Sequence, residues 1–156
     1  STVQALAIAQ AIAHSRRLRS VVIDHCRLTD EGIEAIIIAL SVNPHVRHIS
    51  LAGAATYPQT FDVNGQVQTL AEPSRQGTEA LAELLRFHRH LKILCVKGFN
   101  LDDKGGSMVA KSLSANTRIP LERLDLSNNR LTDRVATELA TSFASLRDAQ
   151  LARKSE

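Results

Sequence analysis

Along this chain, short aliphatic alternations recur, and between them lie longer stretches with apolar residues three and four apart. The clearest alternation is L-E-R-L-D-L-S-N-N-R-L, which sets Leu121, Leu124, Leu126 and Leu131 as its apolar places. Its L-x-L core predicts a short half-buried strand, because alternate side chains of a strand face opposite ways. Asn129 falls where the chain must bend, and its amide is suited to bonding backbone groups left without partners there. Three further copies are present: Leu18, Val21, Ile23, Cys26 and Leu28; Val46, Ile49, Leu51 and Ala54; and Leu91, Leu94, Val96, Phe99 and Leu101. The starts at 18, 46, 91 and 121 are 28, 45 and 30 residues apart, so the second unit holds a 17-residue insertion.

A second pattern runs in phase with the first. Gly32, Ile36, Ala39 and Leu40 have helical spacing, as do Gly77, Leu81, Ala82 and Leu85, then Gly105, Val109, Ala110 and Leu113, then Val135, Leu139, Ala140 and Phe143. Thr29, Ser74, Asp102 and Thr132 precede these helices as cap candidates, each with an oxygen for the open amides of a first turn. One period earlier, Gln4, Ile8, Ala9 and Ile12 occupy helix places in a unit without a strand, so the chain is expected to open in mid-repeat as a piece of a longer protein. At the other end, Leu146, Ala149 and Leu151 imitate a fifth strand pattern. The surrounding R-D-A-Q-L-A-R-K has helical propensity and no β-branched member, which predicts a prolonged last helix instead.

A 28-residue period of strand, bend, helix and return loop resembles the ribonuclease-inhibitor-like class of leucine-rich repeats. The tetrads Leu28-Thr29-Asp30-Glu31 and Leu131-Thr132-Asp133-Arg134, with Asn43 and Asn116 near helix ends, carry that resemblance over nearly the whole chain. It implies an α/β solenoid, an arc with parallel strands on the concave side and helices on the convex side. A single domain over 1–156 is expected, with a half repeat at 1–17 and units at 18–45, 46–90, 91–120 and 121–156, the insertion covering about 55–74. The class contains ribonuclease inhibitors, activators of small GTPases, actin-regulating proteins and sensors of innate immunity, so it implies shape more than task. Ala54 and Phe99 depart from the Asn or Cys expected at the bend, and Val135 departs from Gly.

Composition narrows the picture further. Hydrophobic residues make up 44%, charged residues 22% and aromatics 3%, which predicts a soluble chain with a core of Leu, Ile, Val and Ala. A net charge of +3, from 19 Lys and Arg against 16 Asp and Glu, is spread without a basic run, so no nucleic-acid partner is expected. No apolar run approaches the ~18 residues of a membrane span, and the start lacks the charged n-region of a signal peptide. Cys26, in a bend place read as buried, and Cys95, on a strand, are read as free thiols, which fits a reducing, cytoplasmic setting.

Candidate chemistry is confined to surfaces. On the concave side the resemblance implies a basic ladder of Arg19, Arg47 and Lys92 with Arg123 close by, joined by His48 and Asp125, which suits a protein partner with an acidic segment. Plain solvated charges give the same pattern. The insertion holds Tyr57, Pro58, Phe61 and a turn at Asn64-Gly65, predicting a hairpin of F-D-V and Q-V-Q-T-L on the rim: a binding loop or a tolerated one. His25, His45, His48, His88 and His90 lack zinc-site spacing and are read as surface or loop histidines, although His25 and His48 stand on neighbouring strands. No metal, cofactor or catalysis is expected: there is no G-x-S-x-G, and Gly105-Gly106 lacks the Lys-Ser/Thr of a P-loop. A Cys95 nucleophile served by His48 is the faint exception. The expected function is a protein-protein interaction module, with a structural segment of a larger assembly and a GTPase activator acting through Arg27 or Arg130 as alternatives.

Overall fold

The computed structural model describes residues 2–54, 60, 61, 64, 67–69 and 75–155. Alternation puts Val21, Ile49 and Leu94 on the inner side of three successive strands, where each is at least nine-tenths buried. The strands are β1 (Ser20–Val22), β2 (His48–Ser50), β5 (Ile93–Cys95) and β6 (Arg123–Asp125), paired in that order and parallel throughout. Ser20, His48, Ile93 and Arg123 share one row across the sheet, and Val22, Ser50, Cys95 and Asp125 share another. Parallel neighbours need a crossover, and helices provide it: α2 (Asp30–Val42), α3 (Arg75–Phe87) and α4 (Asp103–Ala115) between the strands, α1 (Thr2–His14) before them and α5 (Asp133–Lys154) after. Each helix packs on its neighbours in order, from α1 to α5. The fold is thus the expected α/β solenoid, and the last helix runs on through Leu146 and Leu151 without a fifth strand.

The small residues at the helix starts have a packing reason. A Cβ on Gly32 would stand 2.9 Å from that of Ala5 on α1, and one on Gly105 would stand 2.9 Å from Thr78 Cγ2 on α3. Val135 replaces the fourth glycine because it faces Gly106, where an added Cβ would lie 2.5 Å from Val135 Cγ1 and 2.8 Å from Leu131 Cδ2. Gly106→Ala is therefore expected to lower stability by about 1–3 kcal/mol through overpacking of the α4–α5 seam. Urea unfolding checks this, and an unmoved midpoint would mean that the seam opens freely.

Caps follow the sequence in part. Thr29 accepts from the Gly32 amide at 3.3 Å and Asp102 from the Gly105 amide at 2.8 Å. Thr132 makes no such bond, because Asp103 of the preceding helix claims it: the Thr132 hydroxyl donates to Asp103 Oδ2 at 2.6 Å and its amide to Oδ1 at 2.7 Å. These bonds to the charged form hold the Asp103 carboxyl below its ordinary range. Ser74 lies outside the described residues.

At the helix ends, Asn43 and Asn116 are buried and sew each repeat to the one before. Asn43 Nδ2 donates to the carbonyls of Ile12 and Ser15, and Asn116 Nδ2 to those of Leu85 and His88. His88 fills the corresponding place in the unit between: it stands in the return loop as expected, but buried there and not at the surface, 3% exposed. Its Nε2 is 3.2 Å from the Asn43 carbonyl, and its Nδ1 accepts from the His90 amide, just as the Asn43 side-chain oxygen accepts from His45. This pair of contacts selects the neutral ring carrying its proton on Nε2. Burial, with some help from nearby His90, holds its pKa below the ordinary value.

Bends differ among the units. Asn129 does what its amide suggests, donating to Val96 and Leu126 carbonyls and accepting from the Leu101 amide. Phe99 and Ala54 instead fill the same place with apolar volume and are almost completely buried. Cys26 departs from the buried place expected of it: the edge position of β1 leaves it exposed, its thiol turned to the Asp24 carbonyl.

Candidate interaction surface

Residues 19, 47, 92 and 122 immediately precede the four strands in equivalent places, each following the first apolar residue of its repeat. Arg19 and Arg47 are exposed and adjacent: the Arg19 carbonyl accepts from the amides of Arg47 and His48, and that of Arg47 from Lys92. The fourth place is acidic, so the ladder of Arg19, Arg47 and Lys92 ends on Glu122. Glu122 accepts from Lys92 Nζ at 2.6 Å, and that bond, with the ammonium charge behind it, holds the Glu122 carboxyl below its ordinary range. Lys92 is thereby engaged, while Arg19 donates to the Arg16 and Leu18 carbonyls. Arg123 lies one residue further along, in the row of His48 and Ile93.

The next row holds Val22, Ser50, Cys95 and Asp125, with Val22 66% exposed on the floor. Asp125 accepts from the amide and hydroxyl of Ser127, which lowers its pKa, and Asp24 accepts from the Ser50 hydroxyl and the Ala52 amide. The carboxylates at the strand ends are therefore turned to the protein's own donors. Arg47 and Arg123 at the strand starts keep exposed guanidinium groups with no hydrogen-bond partner among the described residues. Exposed positive charge thus lines the strand-start edge, while the carboxylates near the strand ends are held by internal donors and, at Asp125, by the nearby charges of Arg123 and Lys97.

The remaining expectations fall out as follows. His25 does not approach His48: the register sets His48 beside Ser20, whereas His25, at φ +56°, packs its ring over Gly53. Cys95 sits between Ser50 and Asp125, with His48 two residues back along β2. Among the described residues no three His, Cys, Asp or Glu gather to hold a metal, and no helix is long and apolar enough to cross a membrane. In the insertion, β3 (Thr60–Phe61) pairs antiparallel with β4 (Val67–Thr69), Phe61 opposite Val67 and Thr60 opposite Thr69. This is a hairpin around Asn64, its first strand one residue earlier than F-D-V; Tyr57 lies outside the described residues. Arg27 and Arg130 are both exposed after their strands. The burial of His88 and the exposure of Ile38 and Val42 on α2 do not follow from the residue types, though the period places His88 among the helix-end asparagines.

A family model described as Leucine Rich repeat matches residues 14–36 and 119–140, the first and last of the strand units. The chain folds as a leucine-rich-repeat solenoid. Leucine-rich repeat-containing protein 45 of Gallus gallus is 27% identical to this leucine-rich-repeat array over 139 residues, 88% of the chain. The match spans only 18% of that relative's length. Among solved structures, Leiomodin-1 Actin-Binding Site 2 superposes with a TM-score of 0.70 at 15% identity, covering 99% of this chain and 78% of that one. The tropomodulin C-terminal domain of Caenorhabditis elegans gives 0.51 at 13% identity, covering 100% and 99%. At such identities the likeness is one of fold.

Proposed function

We propose that this array is a protein-protein interaction module of the ribonuclease-inhibitor-like class that receives an acidic segment of a protein partner on the strand-start edge of its concave side. The observation that carries this reading is the contrast in hydrogen bonding: among the described residues the exposed Arg47 and Arg123 guanidinium groups have no hydrogen-bond partner, while Asp24 and Asp125 are hydrogen-bonded internally. Guanidinium groups take carboxylates in bidentate fashion, and a scaffold built by stacking leaves its strand-lined side free for such contact. Arg19, His48, Lys92 and Asp125 flank the same surface, and the inserted hairpin of β3 and β4 offers a second contact. A cytoplasmic setting fits the two free thiols.

Partner capture from the source cell, followed by Arg47→Glu with Arg123→Glu, tests the reading. Affinity should fall at least tenfold while the thermal midpoint moves by less than about 2 °C, as for ordinary surface substitutions. Unchanged affinity would remove the concave edge as the site. A second reading, a structural segment of a cytoskeletal assembly, is favoured by the half-buried plate of Leu124, Leu126, Leu131, Leu139 and Phe143 at the last repeat. The solved relative titled as an actin-binding site supports it by fold only.

A further inference from the structure

The convex side carries a groove of about 340 Å³ between α2 and α3, lined by Glu34, Ile38, Val42, Glu79, Ala80 and Glu83. Its apolar floor is not required by the fold. The repeat period aligns Ile38 with Glu83, Lys111 and Thr141 on the following helices, so three of the four equivalent places are polar. In α2 the place holds an isoleucine that is 51% exposed, and one turn on stands Val42 at 64%. Phe87, aligned with Val42 on α3, is also 64% exposed, with the Arg86 guanidinium over its ring. Outward places of a surface helix are ordinarily polar, and adjoining exposed aliphatics mark contact surfaces.

The rim supplies the sign of the partner. Glu34, Glu79 and Glu83 bring three carboxylates and no cation to the groove lining, in a chain whose net charge is +3. Among the described residues Glu79 is engaged by Arg75 at 2.8 Å, and Glu34 and Glu83 have no ion-pair partner. The backbone supplies the shape. The groove walls are helices whose amides and carbonyls bond within the helix, so an extended peptide would find no edge to pair with. A helix meets its own backbone needs and docks by side chains alone, seating its ridge between two others.

We infer that this groove is a docking site for an amphipathic helix of a protein partner, its aliphatic stripe on Ile38, Val42 and Ala80 and its flanking lysines or arginines facing Glu34, Glu79 and Glu83. The site lies on the helical side, away from the strands, and stands independently of the concave reading. The probe is a synthetic 16-residue peptide with leucines at helical spacing flanked by lysines, beside a twin carrying glutamates in place of the lysines. Amide chemical shifts of the 156-residue chain are followed during titration with each. The lysine peptide should move the resonances of residues 34–42 and 76–83, with the glutamate twin inert. Glu34→Lys with Glu83→Lys should weaken binding at least tenfold, and Val42→Ser, a small change at an exposed place, should weaken it severalfold in a chain that still folds. Shifts confined to the strands, equal binding by the twin, affinity unmoved in both variants, or no binding by either peptide would overturn the assignment.

Discussion

Asn116→Ala is expected to cost about 3–5 kcal/mol, because it strips partners from buried backbone groups and opens a cavity where the chain cannot readily collapse. The Asn116 amide reaches the Leu85 carbonyl at 2.7 Å and that of His88 at 2.9 Å, and its oxygen receives the Arg118 amide at 3.3 Å. Leu85 lies in the last turn of α3 and His88 just beyond it, so one side chain finishes the preceding helix and fixes the return loop of its own repeat. Water cannot replace it easily at a residue that is 7% exposed. Repeats touch only their neighbours, so the loss should also loosen α4, β6 and α5 from the rest. Urea unfolding followed by circular dichroism reads both effects, a lower midpoint and a shallower, less cooperative transition. A loss below about 1 kcal/mol would show that the stacked leucines hold the repeats without this stitch.

The same residue shows how far sequence carries in a molecule of this kind. Four alternations with in-phase helices made the strands, their parallel order and the outer helices legible, because every copy repeats the same demand for burial. Asn43 and Asn116 were visible as landmarks, and their spacing leads directly to His88. Residue type hid it: a histidine near a return loop reads as solvated, and only the backbone shows that its ring makes the contacts an asparagine amide makes elsewhere. The candidate surface was legible to the level of which residues face outward, and no further. Whether Lys92 is available depends on Glu122, which the repeat pattern treats as interchangeable with Arg19 and Arg47. Ile38 and Val42 were masked by their neighbours: Ile36 and Ile37 are fully buried, so an aliphatic run in α2 passes for core until the exposed side is seen.

Stability of the array should fall as pH drops below about 6.5, and His88→Asn should remove that part of the dependence. The neutral ring has a donor for the Asn43 carbonyl and an acceptor for the His90 amide, and a proton added at Nδ1 would face the His90 N–H and lose that bond. Burial opposes the charge as the larger cause, and His90 adds repulsion once it is itself protonated. With the folded value lowered, the unfolded chain binds a proton that the folded chain refuses. The stabilisation is complete above the unfolded value near 6.5 and is lost as pH falls from there toward the folded value. One such group changes unfolding free energy by at most about 1.4 kcal/mol per pH unit in that window. Asparagine at 88 should restore the arrangement of Asn43 and Asn116, its amide reaching the Asn43 carbonyl without any titration. Urea unfolding of parent and variant at pH 7.5, 6 and 5 isolates the effect, since the other histidines are common to both. The two should lie within about 1 kcal/mol at pH 7.5 and separate in favour of the variant toward pH 5. Parallel curves would mean that the buried ring accepts its proton at little cost, and that the seam between α2 and α3 has room for a second donor.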